Sequence, residues 1–142
     1  MAAAAGQIGD GLITTKPDQE TIASFAGNGG KGKPCIGKLT VCYAPSKQEA
    51  KRTVHRIWPN RGLVGELTVE LRTVTHFEQA ARLVTEKMAT EEMPCGPDPE
   101  EHMAALRAYI EAGFDHIYIH QVGPDQEGFL RFYDREVLPN VT

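Results

Sequence analysis

Nowhere does this chain mass its basic residues: 15 Lys and Arg are scattered among 19 Asp and Glu, giving a net charge of -4. A nucleic-acid or anionic-membrane partner requires a basic face, so neither is expected. Long apolar runs are missing as well. None approaches the roughly 20 residues of a membrane-spanning helix, and the opening "MAAAAGQIGDG" has neither the basic start nor the apolar stretch of a secretion signal, so a cytoplasmic protein is expected. Cysteine is sparse and odd in number, with Cys35, Cys42 and Cys95 alone, which argues for reduced thiols and against a disulfide framework. Cys35 and Cys42 sit seven apart on one predicted strand and so face opposite sides, and no close Cys or His pair has ligand spacing. No metal site is therefore expected. Internal repeats are also absent, and the four alanines at the start are the only low-complexity tract.

What is present is the composition of one globular domain, 142 residues with 41% hydrophobic and 24% charged. Short strands are predicted at residues 12–15 ("LITT"), 35–44 ("CIGKLTVCYA") and in "DHIYIH". Helical stretches separate them. Asp18 caps one, with Gly27 beyond its end. Ser46 and Glu49 form a capping box ahead of the stripe Ala50, Val54, Ile57, and Thr75 and Glu78 form another ahead of Phe77, Ala81, Val84 and Met88. The best-signposted helix has Asp98 as cap, Pro99 in the first turn, Glu101 completing a box, Met103, Leu106 and Ile110 as its buried stripe, and Gly113 at its end. Asp125 is placed to cap a final amphipathic helix. The stretch "PNRGLVGELTVELRTV" reads as an insertion with a short helix.

Strands separated by helices of this length imply right-handed crossovers and a parallel sheet. In an open doubly wound sheet both faces are covered and the strands are apolar throughout. Here Lys38, Thr40 and Cys42 share one face of their strand, and His116, Tyr118 and His120 one face of theirs. A (β/α)8 TIM barrel admits this, because its lumen holds polar groups near the active site. Three strands cannot close such a barrel. The fold class expected is therefore α/β, the C-terminal part of a (β/α)8 barrel with about three parallel strands and covering helices, as one partial domain over residues 1–142. An open edge and a bare face predict self-association.

The stretches "AGQIGDGLITT", "EAKRTVHRIWPN", "HFEQAARLVTEKM" and the long ungapped "PCGPDPEEHMAALRAYIEAGFDHIYIHQVGPDQEGFLRFYDREVLPNV" resemble the C-terminal portion of luciferase-like oxidoreductases. The likeness is to the coenzyme F420-dependent, glucose-6-phosphate dehydrogenase-like subgroup. That resemblance implies a deazaflavin across the C-terminal mouth of the barrel, hydride transfer to or from a small organic substrate, and a homodimer when full length. It also places the cofactor contacts and the acid-base residues in strands that precede this chain, so the 142 residues by themselves are expected to be inactive. Two alternatives stand beside it: an FMN-dependent monooxygenase of the same superfamily, and a non-catalytic remnant or assembly subunit.

On the substrate side, the resemblance matches Thr15 to a threonine that contacts a sugar phosphate. Lys16 lies near the expected lysine, whose approximate place is taken by Asp18. A second lysine and an arginine fall near Thr68 and Glu92, so a substrate other than a sugar phosphate is expected. From the strand pattern, Cys42 is a candidate substrate contact at an inward-facing strand end, or else a small buried hydrophobe. His120 is the candidate catalytic residue, at the end of an inward-facing strand face; its other reading is an anchor for the loop "QVGPDQ". His116 reads as a packed polar residue. Lys38 is expected to pair with a carboxylate from strands outside this chain.

Overall fold

The computed structural model describes residues 1–141. Three parallel strands, β1 (Leu12–Thr14), β2 (Cys35–Val41) and β3 (His116–Gln121), form one sheet in that spatial order. Ile36 lies between Ile13 and His116, and the β2–β3 ladder continues to Val41 and Gln121. Because successive side chains alternate, this register sorts the sheet into two faces. Leu12, Cys35, Leu39, Val41, Ile117 and Ile119 share one, and all belong to or pack against the main core. Ile13, Ile36, Lys38, Thr40, His116, Tyr118 and His120 share the other, where Ile13 is 72% exposed and Tyr118 58% exposed. The imidazoles thus point away from the helices.

The helices in chain order are α1 (Ala2–Ile8), α2 (Gln19–Phe25), α3 (Lys47–Ile57), α4 (Leu67–Glu70), α5 (Val74–Ala81), α6 (Glu86–Ala89), α7 (Pro99–Ala112) and α8 (Gln126–Phe132). Phe25 of α2, Leu106 and Tyr109 of α7, and Phe129 and Phe132 of α8 cover the apolar sheet face. A second core lies beyond the end of β2, where Cys42, Ala44 and Cys95 meet Ala50 and Val54 of α3, Ala89 of α6, Val84 and Met93. Burial of this apolar area is the main favourable term in folding.

Local signals placed most helix ends correctly. Asp18, Ser46, Asp98 and Asp125 each accept a hydrogen bond from a backbone N–H of the first turn, satisfying donors that the helix itself leaves unpaired. Gly113 ends α7 at φ +93, a conformation open to glycine at no steric cost.

Several expectations are corrected. Thr73, not Thr75, caps α5, and the predicted helix over "THFEQAARLVTEKMATEEM" is broken into α5 and α6 because Thr85 starts a new cap. Gly27 does lie beyond the end of α2 at Phe25, but the left-handed residue of the turn that follows is Gly29, at φ +96. Glu101 does not close a capping box but reaches Lys47 across to α3. Ile57, Met88 and Ile110 are half-exposed, and Tyr109 replaces Ile110 on the buried stripe of α7. Spacing of three or of four keeps a side chain on one helix face, and only the packing against β2 decides between them.

Leu106 is 3% exposed at the centre of the main core. Leu106→Ala is expected to cost about 2–5 kcal/mol of unfolding free energy, read from urea denaturation of the full-length protein. A loss well under 1 kcal/mol would show that α7 is not packed on the sheet as described.

Candidate active site

Parallel strands bring their C-terminal ends together, and side chains finish what the ladders leave undone there. The Gln121 amide donates to the Tyr43 carbonyl at 3.1 Å and accepts from the Tyr43 N–H at 2.8 Å, so the β2–β3 pairing is extended by a side chain. On the opposite side of β2, the Cys42 N–H donates to the Pro94 carbonyl at 3.0 Å and the Gly96 N–H donates to the Cys42 carbonyl at 2.9 Å. Through this single bridge at Cys95, residues 94–96 pair with β2's extension on the side where β1 has stopped.

A cavity of about 840 Å³ opens at these strand ends, with Thr15, Lys16, Lys38, Trp58, Arg61 and Glu92 among its lining residues. No carboxylate lies within ion-pair distance of Lys16, Lys38 or Arg61 among the described residues. Arg61 is steadied by donating from Nη1 to the Ala89 carbonyl at 3.0 Å. Lys38 holds its ammonium 5.9 Å from the centre of the Trp58 ring, within reach of a cation–π attraction. Glu92 adopts φ +56, left-handed and uncommon for a residue with a side chain, at the rim of the same cavity. A second cleft, about 710 Å³ and bounded by His55, Arg56, Phe77 and Arg82, lies between α3 and α5, away from the strand ends.

His120 meets the edge of Trp58 at 5.9 Å between ring centres, and its Nδ1 is sealed from solvent with no hydrogen-bond partner among the described residues. Burial, and then the positive charge of Lys38, lower its pKa from the ordinary 6.5. The ring is therefore neutral at pH 7, with one nitrogen to donate and one to accept.

The structure brings together Thr15, Lys16 and Lys38, and it places His120 beside Lys38 through Trp58. Cys42 is corrected: it is fully buried in the second core, off the cavity lining, and burial followed by neighbouring Cys95 pushes its thiol up to about 11. A protonated, enclosed thiol cannot touch substrate, and the small buried hydrophobe is the reading that holds. His116 is exposed and not packed. Sequence reasoning missed Trp58, Arg61 and Tyr109. Trp58 carried a usable signal, being the single tryptophan and falling between a helix and Pro59; Arg61 and Tyr109 carried none, since one lies in the unpatterned insertion and the other on an ordinary helix.

No family model matches the chain. Among curated relatives, it is 28% identical over 149 residues to the F420-dependent glucose-6-phosphate dehydrogenase of Microbacterium testaceum, covering 96% of this chain and 44% of that enzyme. The enzyme of the same description from Kribbella flavida is 27% identical over 98% of this chain and 45% of its own length. Among solved structures, an F420-dependent secondary alcohol dehydrogenase in complex with an F420-acetone adduct superposes with a TM-score of 0.75 at 22% identity, over 99% of this chain and 46% of that one. The coenzyme F420-dependent tetrahydromethanopterin reductase of Methanopyrus kandleri follows at 0.66 and 17%, over 100% of this chain and 48% of its own.

Along nearly its whole length the chain is similar to part of these F420-dependent enzymes.

It spans a little under half the length of the relatives it matches, 44% for the first, and its three strands are part of a (β/α)8 barrel. In a partial barrel the histidine-bearing face is the lumen face, and the cavity lies at the C-terminal mouth, where barrels carry their chemistry. His120 shares the lumen face but is not among the residues lining the cavity, from which Trp58 separates it, and its Nδ1 is enclosed.

Removing the Lys38 charge is expected to raise the His120 pKa toward 6.5. Lys38→Met in the full-length protein, followed by NMR titration of the imidazole, reads that change directly. An unchanged titration would sever the link between the two residues.

Proposed function

We propose that the full-length protein is an F420-dependent oxidoreductase that moves a hydride between the deazaflavin and a small organic substrate carrying an anionic group, and that this chain is the C-terminal part of its one luciferase-like barrel domain. The observation that carries the reading is the cavity at the strand ends, whose lining holds Lys16, Lys38 and Arg61 against Asp18 and Glu92, with none of the three cations in an ion pair among the described residues. Three cations against two carboxylates, beside a hydroxyl-bearing Thr15 and unpaired among the described residues, favour a phosphate or carboxylate. The relatives' named activities include dehydrogenation of glucose 6-phosphate and of a secondary alcohol, so an alcohol carbon is the proposed reacting centre.

The exclusion of a sugar phosphate rested on Thr68 and Glu92 standing where cations were expected. Lys38 and Arg61 supply positive charge to the same cavity from other positions, so a sugar phosphate stands among the proposed anionic substrates. Thr15 and Lys16 bound one side of the proposed substrate site. Lys38 and Arg61 hold the anion, and Trp58 walls the site toward His120. His120 stands beyond Trp58, outside the cavity lining, with Nδ1 enclosed, so the exchange of the substrate hydroxyl proton is assigned to its other ring nitrogen, Nε2. The deazaflavin, when bound, is the hydride acceptor or donor, and its contacts are assigned to strands outside this chain. Cys42 has no role in the proposal. The bare lumen face and the free edges of β1 and β3 are covered by the rest of the barrel, and reduced cysteines fit a cytoplasmic setting.

In full-length protein supplied with coenzyme F420 and glucose 6-phosphate or other anionic alcohols, His120→Gln is expected to lower kcat by about 100-fold or more. Lys38→Met is expected to raise KM by about 10-fold or more, the worth of a charge-assisted hydrogen bond. Failure of the wild-type protein to bind the coenzyme would refute the assignment. The 142-residue chain alone is expected to elute as an oligomer and to shift to smaller size when Ile13 and Tyr118 on the bare face are changed to lysine. A monomeric unsubstituted chain would contradict that expectation.

A further inference from the structure

The ladder between β1 and β2 stops at Thr14 and Gly37, and on that side of β2 the next pairing is Cys42 with Cys95. In a parallel strand alternate residues turn their amide groups to alternate neighbours. The Val41 carbonyl accepts from the Val122 N–H on the β3 side, so Lys38 and Thr40 aim their amide groups into the gap. That gap passes through the sheet. The cavity that begins among Lys38, Thr40 and Trp58 on the lumen face reaches Ala105, Ala108 and Tyr109 of α7, a helix on the outer face. The two alanines are small enough to leave its floor open.

Tyr109 donates its one hydroxyl proton across this opening, 2.8 Å from the Thr15 carbonyl and 2.9 Å from the Lys38 carbonyl. Its ring is 3% exposed and held in place. A Cβ at residue 37 would stand 2.4 Å from the ring, so Gly37 is what lets it lie flat on β2, and Phe114 packs 5.2 Å away. Burial raises the phenol pKa above 10, so the hydroxyl stays a donor across the working pH range. Thr15 precedes Lys16 directly, and Lys38 carries its own ammonium to Trp58.

We propose that Tyr109 is a positioning residue for the substrate cavity: by tying the Thr15 carbonyl to the Lys38 carbonyl through one hydroxyl, it sets the separation at which Lys16 and Lys38 meet an anionic ligand. This rests on the anion-binding reading of the cavity given above. Without the hydroxyl, two carbonyls face one another over an open slit, their like partial charges repel, and the two lysines lose their fixed spacing.

The test is calorimetric titration of the full-length protein with inorganic phosphate, comparing wild type, Tyr109→Phe and Gly37→Ala, with thermal unfolding measured alongside. Wild type is expected to bind, and Tyr109→Phe to bind at least threefold more weakly while still unfolding cooperatively. Gly37→Ala, which displaces the ring without removing the hydroxyl, is expected to weaken binding in the same direction. Wild-type binding with an unaltered phosphate Kd in folded Tyr109→Phe would overturn the positioning role and leave the anion site standing, because a purely structural tyrosine moves the unfolding temperature alone. Should Tyr109→Phe fail to fold, Gly37→Ala decides by the same comparison, and an unaltered Kd there overturns the role. No phosphate binding by the wild type would overturn the anion site itself and the proposal with it.

Discussion

The side-chain parity of the sheet is the constraint on which everything else depends. With Ile36 seated between Ile13 and His116, every apolar residue at odd positions of β2 faces the helices, and every polar one at even positions faces the lumen. A slip of one residue in either pairing would exchange the faces, burying Lys38 and His120 under α7 and exposing Leu39 and Val41. Two polar contacts pin the register at the base of the strands: the Cys35 N–H donates to the Asp115 carboxylate at 2.7 Å, and the Asp115 N–H donates to the Cys35 carbonyl at 3.0 Å. The apolar face then locks it through burial.

At the other end of the sheet the ladders run out one after another, and side chains take over. Gln121 extends β3 against Tyr43, the Cys42–Cys95 bridge resumes the missing edge of β2, and Tyr109 spans the interval between. A backbone polar group left unpaired in a sheet is costly, so each substitute is a stability device. Each also shapes the mouth, because the interval that the regular ladder leaves open is what the cavity occupies. Stability and site geometry therefore share the same few hydrogen bonds.

The charge distribution reinforces this. The chain is acidic overall, with a net charge of -4, yet one concave region is lined by three cations and two carboxylates, Asp18 and Glu92, with no ion pair to the cations among the described residues. A local positive field within an acidic surround draws small anions toward the mouth and disfavours nucleic acid, which needs an extended basic face. Lys38 would act twice in the proposed site, as a counter-charge for ligand and as a neighbour that lowers the His120 pKa.

Caps, glycine stops and strand alternation are local properties, and for that reason the sequence by itself determined them: Asp98 and Gly113 bound α7, Asp125 caps α8, and the two faces of β2 and β3 follow from spacing alone. Thr15 and Lys16 followed from the resemblance and His120 from strand alternation; the first two line the cavity, and His120 stands behind Trp58. What only the tertiary structure decided are the meetings between distant segments. Arg61 reaches the cavity from an insertion with no periodicity, and Tyr109 touches Thr15 across 94 residues through a gap in the sheet. Cys42 left the site because residues 93–98 fold over it, a long-range pairing that a strand pattern cannot contain. Local spacing fixes which way a side chain points; which chain segment lies opposite depends on packing between residues far apart in sequence.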